Sequence, residues 1–500
     1  MKKLIVLILV FALAALLASC APTQNDVSTS ELNVGFTLDV GTFNPHRTTS
    51  MLEFRVLQNI FDTIIRVDPS TGEVLPMLAE SWTISEDGLI YTFNLRQDVL
   101  FHNGDAFSAY NVLGNFEIWQ TSINTVLIRN VLESVSVIDE FTVKMRLFEP
   151  SALFLVLLGD LAIVHDDVFN DNVDLFGERP VGTGAYMLAS RHIGASIELV
   201  RFDAHFRGPA DIETINIRIL PDANTLAVAL EMGEIDYSEA IIPASVSILK
   251  EASHLTVNIL DGIMVSFIGL NVERVPFDDI RVRQAVAHAI DRQAIIDMSR
   301  EGMGIPTHIT HIEPMPFRPE DYPVFDFNPL RARELLTEAG FPNGIVLSEP
   351  ILSIAAFVPG AQIIQSMLAD VGIMVEIAPT EWAAMWPLMQ DGNFSMSFTS
   401  WNATSLHPDF FVQLYRTDTI GGINHSRYSN PRVDELADMG VLTLDPVEAQ
   451  EIYDELFSII TYDMPRVPVY IASFLIAHDN NLHVRTPNPI SNPFFNMSWR

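Results

Sequence analysis

The segment from Leu78 to Glu117 constrains the fold more tightly than any other part of this 500-residue chain. Ile90 to Leu95 alternates, which puts Tyr91, Phe93 and Leu95 on one face of a half-buried strand. Asp87-Gly88 before it and Asn103-Gly104 after it supply the left-handed backbone that tight turns need. Ser108 then stands where a helix cap belongs, ahead of the apolar run Val112, Leu113 and Phe116. The spacing predicts a compact β unit that hands over to a helix.

Elsewhere helical and strand periods alternate. A strand is expected at Glu31–Thr37, a helix over Met51–Ile65 and a hairpin from Val135 to Leu147 around Asp139-Glu140. Ile215–Leu220 reads as a strand, and Asp222 caps a helix that runs to Met232 and stops at Gly233. Further strands are expected at Val265–Asn271, Ile373–Ala378, Phe394–Ser400 and Val467–Ile471, with a long helix over Asp445–Thr461. Such alternation points to an α/β fold with partly parallel sheets. Pro306–Pro329 is proline-rich and reads as an irregular loop, which makes a surface position the expectation for His308 and His311 within it.

The amino terminus reads as a secretion signal: Lys2-Lys3 followed by the apolar run Leu4–Leu17. Leu17-Ala18-Ser19-Cys20 resembles the lipobox of bacterial lipoproteins, which implies lipidation of Cys20, the one cysteine in the chain. A lone cysteine excludes an internal disulfide framework and cysteine-based zinc sites. Pro22–Ser30 is polar and aperiodic, as a flexible tether would be. With 63 acidic and 29 basic residues the formal charge is −34, which argues against nucleic acid and anionic lipid as partners.

Ala79-Glu80-Ser81-Trp82, Tyr91-Thr92-Phe93, Leu95-Arg96 and Phe101-His102-Asn103-Gly104 closely resemble the signature of bacterial family 5 solute-binding proteins. Pro180 to Tyr186, Ile219 to Ala223, Gly233 to Asp236 and Val282 to Arg292 resemble later segments of the same family. The resemblance covers essentially everything after residue 30. It implies a periplasmic binding protein-like α/β fold: two lobes joined by a hinge, with a large additional domain. The implied division is a signal peptide at 1–19, a tether at 20–30 and a discontinuous domain I (31–60, 176–262 and 472–500). Domain II would be 61–175 and domain III 263–471.

The family's cleft loop matches Ser400 to Phe410 here, so Trp401, Asn402, Thr404, His407 and Asp409 are candidate ligand residues. Peptide receptors place an aspartate three residues after the aromatic, where this chain has Thr404; Asp409 is the one carboxylate in the loop. Nickel-type receptors carry a histidine in this loop, which makes His407 a candidate metal ligand acting through a bound chelate. Asp39 to His46 looks more like the nickel-type branch. His46 and Glu53 flank that loop, and solvated surface is the competing expectation for each. Arg129 is the only basic residue between Trp119 and Glu133, where nickel-type receptors hold an anionic chelator with arginines.

The resemblance implies the substrate-binding lipoprotein of an ABC importer, without cofactor or catalysis, monomeric and held outside the cytoplasm. It would deliver a metal chelate or a short peptide to permease and ATPase subunits, with a slight lean to the chelate. A secreted lipoprotein hydrolase and a non-transport sensor on the same fold are the alternatives. No Gly-x-Ser-x-Gly elbow, His-Glu-x-x-His or Walker loop occurs in the chain.

Overall fold

The computed structural model describes residues 30–48, 51–122, 125–313, 315–403 and 406–500. Cys20 and the leader, and Thr404, lie outside the described residues. Among the described residues no helix is long and apolar enough to cross a membrane.

One eleven-stranded sheet runs through the molecule. Its first part comprises β1 (Glu31–Phe36), β2 (Tyr186–His192), β3 (Ser196–Arg201), β4 (Thr214–Ile219) and β5 (Tyr237–Ser238). It continues through β6 (Leu255–Leu270), β7 (Ile351–Ser353), β8 (Ile377–Pro379), β9 (Met396–Asn402) and β10 (Arg466–Asp479). The strand order is β8-β7-β9-β6-β10-β5-β1-β4-β3-β2, and the short strand Gly304–Pro306 also pairs with β10. β1 lies parallel to β4 and β5, and β7 parallel to β8 and β9; the other neighbours run antiparallel.

Burial follows the pleat. Leu32, Val34 and Phe36 of β1 share one core with Ile215, Ile217 and Ile219 of β4. In β6, Ile268 and Leu270 enter one core while Val265 and Phe267 enter a second on the opposite face, so this part of the sheet is covered on both sides. A separate four-stranded antiparallel sheet, Ala79–Ile84, Ile90–Leu95, Thr142–Leu147 and Leu132–Asp139, builds a third core around Phe93, Trp119 and Phe154. Tyr91, Phe93 and Leu95 point into it, as their alternation requires. Asn111 Oδ1 accepts from Ser108 N at 2.9 Å and closes the first turn of helix Ala109–Trp119.

Four expectations need correction. The helix from Met51 ends at Ile60, because Ile60 O is taken by Gly184 N and Ile65 already begins a strand. Gly182 sits so close that a Cβ there would lie 2.1 Å from Ile60 O, so the 182–184 segment packs directly on the helix end. Val265–Asn271 and Val467–Ile471 are only parts of strands of 16 and 14 residues. His311 is fully buried, with Nε2 3.0 Å from Pro316 O, and is no surface ligand. Trp401 and Asn402 belong to β9 itself, not to the loop after it.

β6 and β10 are the two long strands that cross between the halves of the sheet. Their pairing slips between Leu260 and Met264, opposite Ala472. Gly262 lies in that slip, where a Cβ would lie 1.8 Å from Ala472 O. The first lobe lies on the β1–β5 side of this crossing, and the third lobe on the β7–β9 side.

Candidate functional site

β10 runs from the third lobe into the first and pairs antiparallel with β5, so β5 aims its carboxyl end back at the third lobe. β6 runs the other way and pairs antiparallel with β9, so β9 aims its carboxyl end at the first lobe. The carboxyl ends of two parallel strand sets therefore confront each other across the crossing strands. Ligands of open α/β sheets lie outside such ends. The lobes are in contact: Met51 and Ile490 of the first pack on the third lobe's core, and Ala152 N, in the small domain built on the four-stranded sheet, donates to Val441 O at 2.9 Å.

On the third lobe, Trp401 is half-buried at the end of β9 and stacks against Trp386, centroids 6.4 Å apart and planes 18° apart. Trp386 meets His425 edge-on at 4.6 Å, and exposed Trp382 lies 5.3 Å away. Trp382 and Trp386 stand on helix Trp382–Gln390, which follows the carboxyl end of β8. Asn402 is exposed opposite Met264 of β6. Together they form an aromatic wall with an amide at its edge, suited to planar or apolar groups that carry a polar end.

His407 and Asp409 are drawn into the body of the third lobe. His407 Nδ1 accepts from Asp409 N at 3.2 Å, its ring meets Tyr453 edge-on at 5.9 Å, and burial lowers the imidazole to about 4. Asp409 Oδ2 accepts from Gln413 Nε2 at 3.3 Å, and burial raises its carboxyl to about 6. The short helix Asp409–Val412 starts here.

On the first lobe, His46 is buried against Phe169, 6.1 Å between ring centroids, and burial lowers it to about 4; this corrects the expectation of a solvated histidine. Glu53 Oε1 accepts from Gly41 N at 2.6 Å and ties the helix start to the loop after β1. Arg129 donates to Gln120 O at 2.8 Å, at the carboxyl end of helix Ala109–Trp119. Two groups escaped the sequence reading. Arg55 Nε reaches Glu239 Oε2 at 2.8 Å, a buried ion pair at the carboxyl end of β5. Asp160, at the end of helix Phe154–Asp160, reaches water yet is crowded by protein, and that burial raises it to about 7. No spacing in the sequence links Arg55 to Glu239, because they meet only through the sheet.

Buried histidines set the acid limit. Burial lowers His46, His102, His311 and His407 to about 4 and His425 to about 3. Unfolding would let each take up a proton near its ordinary 6.5, so the unfolded chain binds more protons and stability falls as pH drops from about 6.5 toward 4. Asp409 and Asp160 act in the opposite sense, since the folded state binds their protons first. Burial also lowers His308 to about 4 and lowers His478, and it raises Asp166 and Asp236; with seven histidines against four acids among the described residues, the histidines prevail. Each complete shift is worth on the order of 3 kcal/mol. The thermal midpoint should therefore fall steadily between pH 6.5 and 4.5, and less steeply in His46→Gln. A midpoint that rises over that interval would contradict this balance.

The model of bacterial extracellular solute-binding proteins, family 5 middle, matches residues 73–422. The chain belongs to family 5 of the bacterial extracellular solute-binding proteins. Among family 5 relatives, glutathione-binding protein GsiB of Escherichia coli (strain K12) is 28% identical, over 94% of this chain and 93% of that protein. Heme-binding protein A of Haemophilus influenzae is 27% identical, over 82% of this chain and 81% of that one. The Helicobacter pylori periplasmic binding protein DppA, solved with peptide STSA, superposes with a TM-score of 0.84 at 27% identity, covering 94% of this chain and 98% of that chain. NikA of Brucella suis, solved with Fe(III)-EDTA, shares the fold, with a TM-score of 0.85 at 24% identity, covering 94% of this chain and all (100%) of that chain. Members of this family act outside the cytoplasm as solute binders, and two lobes meeting at the carboxyl ends of parallel strands fit that role.

Proposed function

We propose that the chain is the substrate-binding lipoprotein of an ABC importer, tethered through Cys20, and that its solute is a short peptide or a peptide-like zwitterion. Binding between the lobes would stabilise the closed form, which the permease then recognises. The observation that carries this reading is the aromatic wall of Trp401, Trp386 and Trp382 at the confronting strand ends. Relatives named for glutathione and solved with a tetrapeptide, at 28% and 27% identity over nearly the whole chain, support the peptide class.

The charge balance speaks against an anionic metal chelate. Arg129 is committed to a helix carbonyl, and His407 is tucked against Tyr453. The chelate stays as the second reading because of the Asp39 to His46 segment.

Native mass spectrometry of the mature protein, with metal analysis of the same sample, tests the choice. Co-purified peptide masses, and peptide binding weakened about tenfold or more in Trp401→Ala, are expected. A bound nickel or chelator mass would replace the peptide with the chelate. Turnover of ester or glycoside reporters would overturn the receptor reading in favour of a hydrolase.

A further inference from the structure

The chain's −34 charge hides a local reversal. Arg66 lies in the short strand Ile65–Val67, opposite Leu75 of strand Val74–Pro76. Arg96 Nε donates to Met77 O at 2.8 Å, two residues further along the same segment. The Arg96 guanidinium lies 5.1 Å from the Phe206 ring, and neighbouring Arg207 lies 4.3 Å from the Phe495 ring. Arg485 N donates to Asn496 O, beside Phe495. Two guanidinium groups thus lie over two aromatic rings, and the backbone brings Arg66 and Arg485 to the same region, where the small domain joins the first lobe.

Their partners are sparse. Arg96 has Glu80 at 3.6 Å. The side chains of Arg66, Arg207 and Arg485 are exposed and make no ion pair among the described residues, whereas most arginines of this chain are paired. Surrounding protein lowers Arg207, Asp62 opposes that, and Arg66, Arg96 and Arg485 lower it further, so the charges of the other three all reach Arg207. Clustered like charges cost free energy unless something of opposite sign is bound. The loop carrying Arg207 enters β4 at its amino end, where Glu213 N and Thr214 N donate to Ser30 O. That end is opposite the carboxyl ends at which the lobes confront each other.

We propose that Arg66, Arg96, Arg207 and Arg485 form a second binding site, apart from the cleft, for a phosphate-class oxyanion. Guanidinium forks match tetrahedral oxyanions in pairs, and stacking on Phe206 and Phe495 holds two of the forks in place before the anion arrives. A bound anion would bridge the small domain, which supplies Arg66 and Arg96, to the first lobe, which supplies Arg207 and Arg485. The phosphate group has two sources, a soluble phosphate ester or the headgroup of an anionic lipid. This inference does not rest on the nature of the cleft's solute.

Pyrophosphate titration at constant ionic strength, read by calorimetry and by thermal midpoint, tests the site. Flotation with phosphatidylglycerol vesicles at physiological salt forms the second arm. Saturable pyrophosphate binding that weakens at least about tenfold in Arg66→Gln/Arg207→Gln/Arg485→Gln is expected. That variant should melt at or above the wild-type midpoint without anion, since repulsion is relieved. Vesicle binding lost in the same variant would assign the lipid headgroup; pyrophosphate binding without vesicle binding would assign the soluble ester. No saturable response in either arm, or a response retained by the triple variant, overturns the site.

Discussion

Gly262→Ala should lower the thermal midpoint by about 3 °C or more, the equivalent of about 3 kcal/mol for a chain of this length. An added Cβ would lie 1.8 Å from Ala472 O and 3.0 Å from its carbonyl carbon. Ala472 has little room to retreat, since it pairs with Met264 on one side and with Gly304 on the other. Overlap with backbone is expensive because no rotamer relieves it. The slipped pairing of β6 and β10 is also where the two lobes connect, so the same change should alter closure. Compaction on ligand binding, measured by small-angle scattering, should shrink in this variant. A midpoint within about 1 °C of wild type would mean that the crossing is slack enough to absorb a methyl group.

Arg55→Met should cost about 3–5 kcal/mol. Its guanidinium is buried, with Nε on Glu239, Nη1 and Nη2 on the carbonyls of Ile490 and Pro489, and its face 5.5 Å from the Phe474 ring. Glu239 in turn accepts from Tyr237 Oη and from Asn492 Nδ2 at 2.9 Å. Removing the cation leaves a carboxylate with its hydrogen-bond donors but no counter-charge in a dry site, and burying unpaired charge is what makes single breaks costly. Glu239→Gln should also destabilise. The double variant Arg55→Met/Glu239→Gln should lose clearly less than the sum of the two, as a double-mutant cycle in urea would measure. Additive losses would show that the two side chains act through separate neighbours. The network joins helix Met51–Ile60, β5, β10 and the 489–492 segment, so its loss should also loosen the lobe contact made by Ile490.

The family, the α/β class and most short elements were legible in the chain because local chemistry fixes them. Alternation at Ile90–Leu95, the cap at Asp222, whose Oδ1 accepts from Thr225 N at 2.8 Å, and the glycine after Met232 all act within a few residues. More than half of each crossing strand was missed. Residues 255–262 of β6 mix buried and exposed positions, as a strand at a lobe boundary must, and that blurs the period-2 pattern. The cleft loop was located but its residues were not sorted: Trp401 stands at the wall, while His407 and Asp409 turn inward against helix Pro446–Asp463.

The sequence by itself determined where strands, turns and caps begin, because propensity, pleat and turn backbone depend on neighbours along the chain. It also determined net charge, and so the acidic character of the molecule as a whole. Only the tertiary structure decided which distant groups share a site. Arg55 meets Glu239 across 184 positions, and Arg96 and Arg207 stack on Phe206 and Phe495 with the charges of Arg66 and Arg485 reaching Arg207, against the sign of the whole chain. Coulomb energy and desolvation depend on distance through space, and sheet order sets that distance.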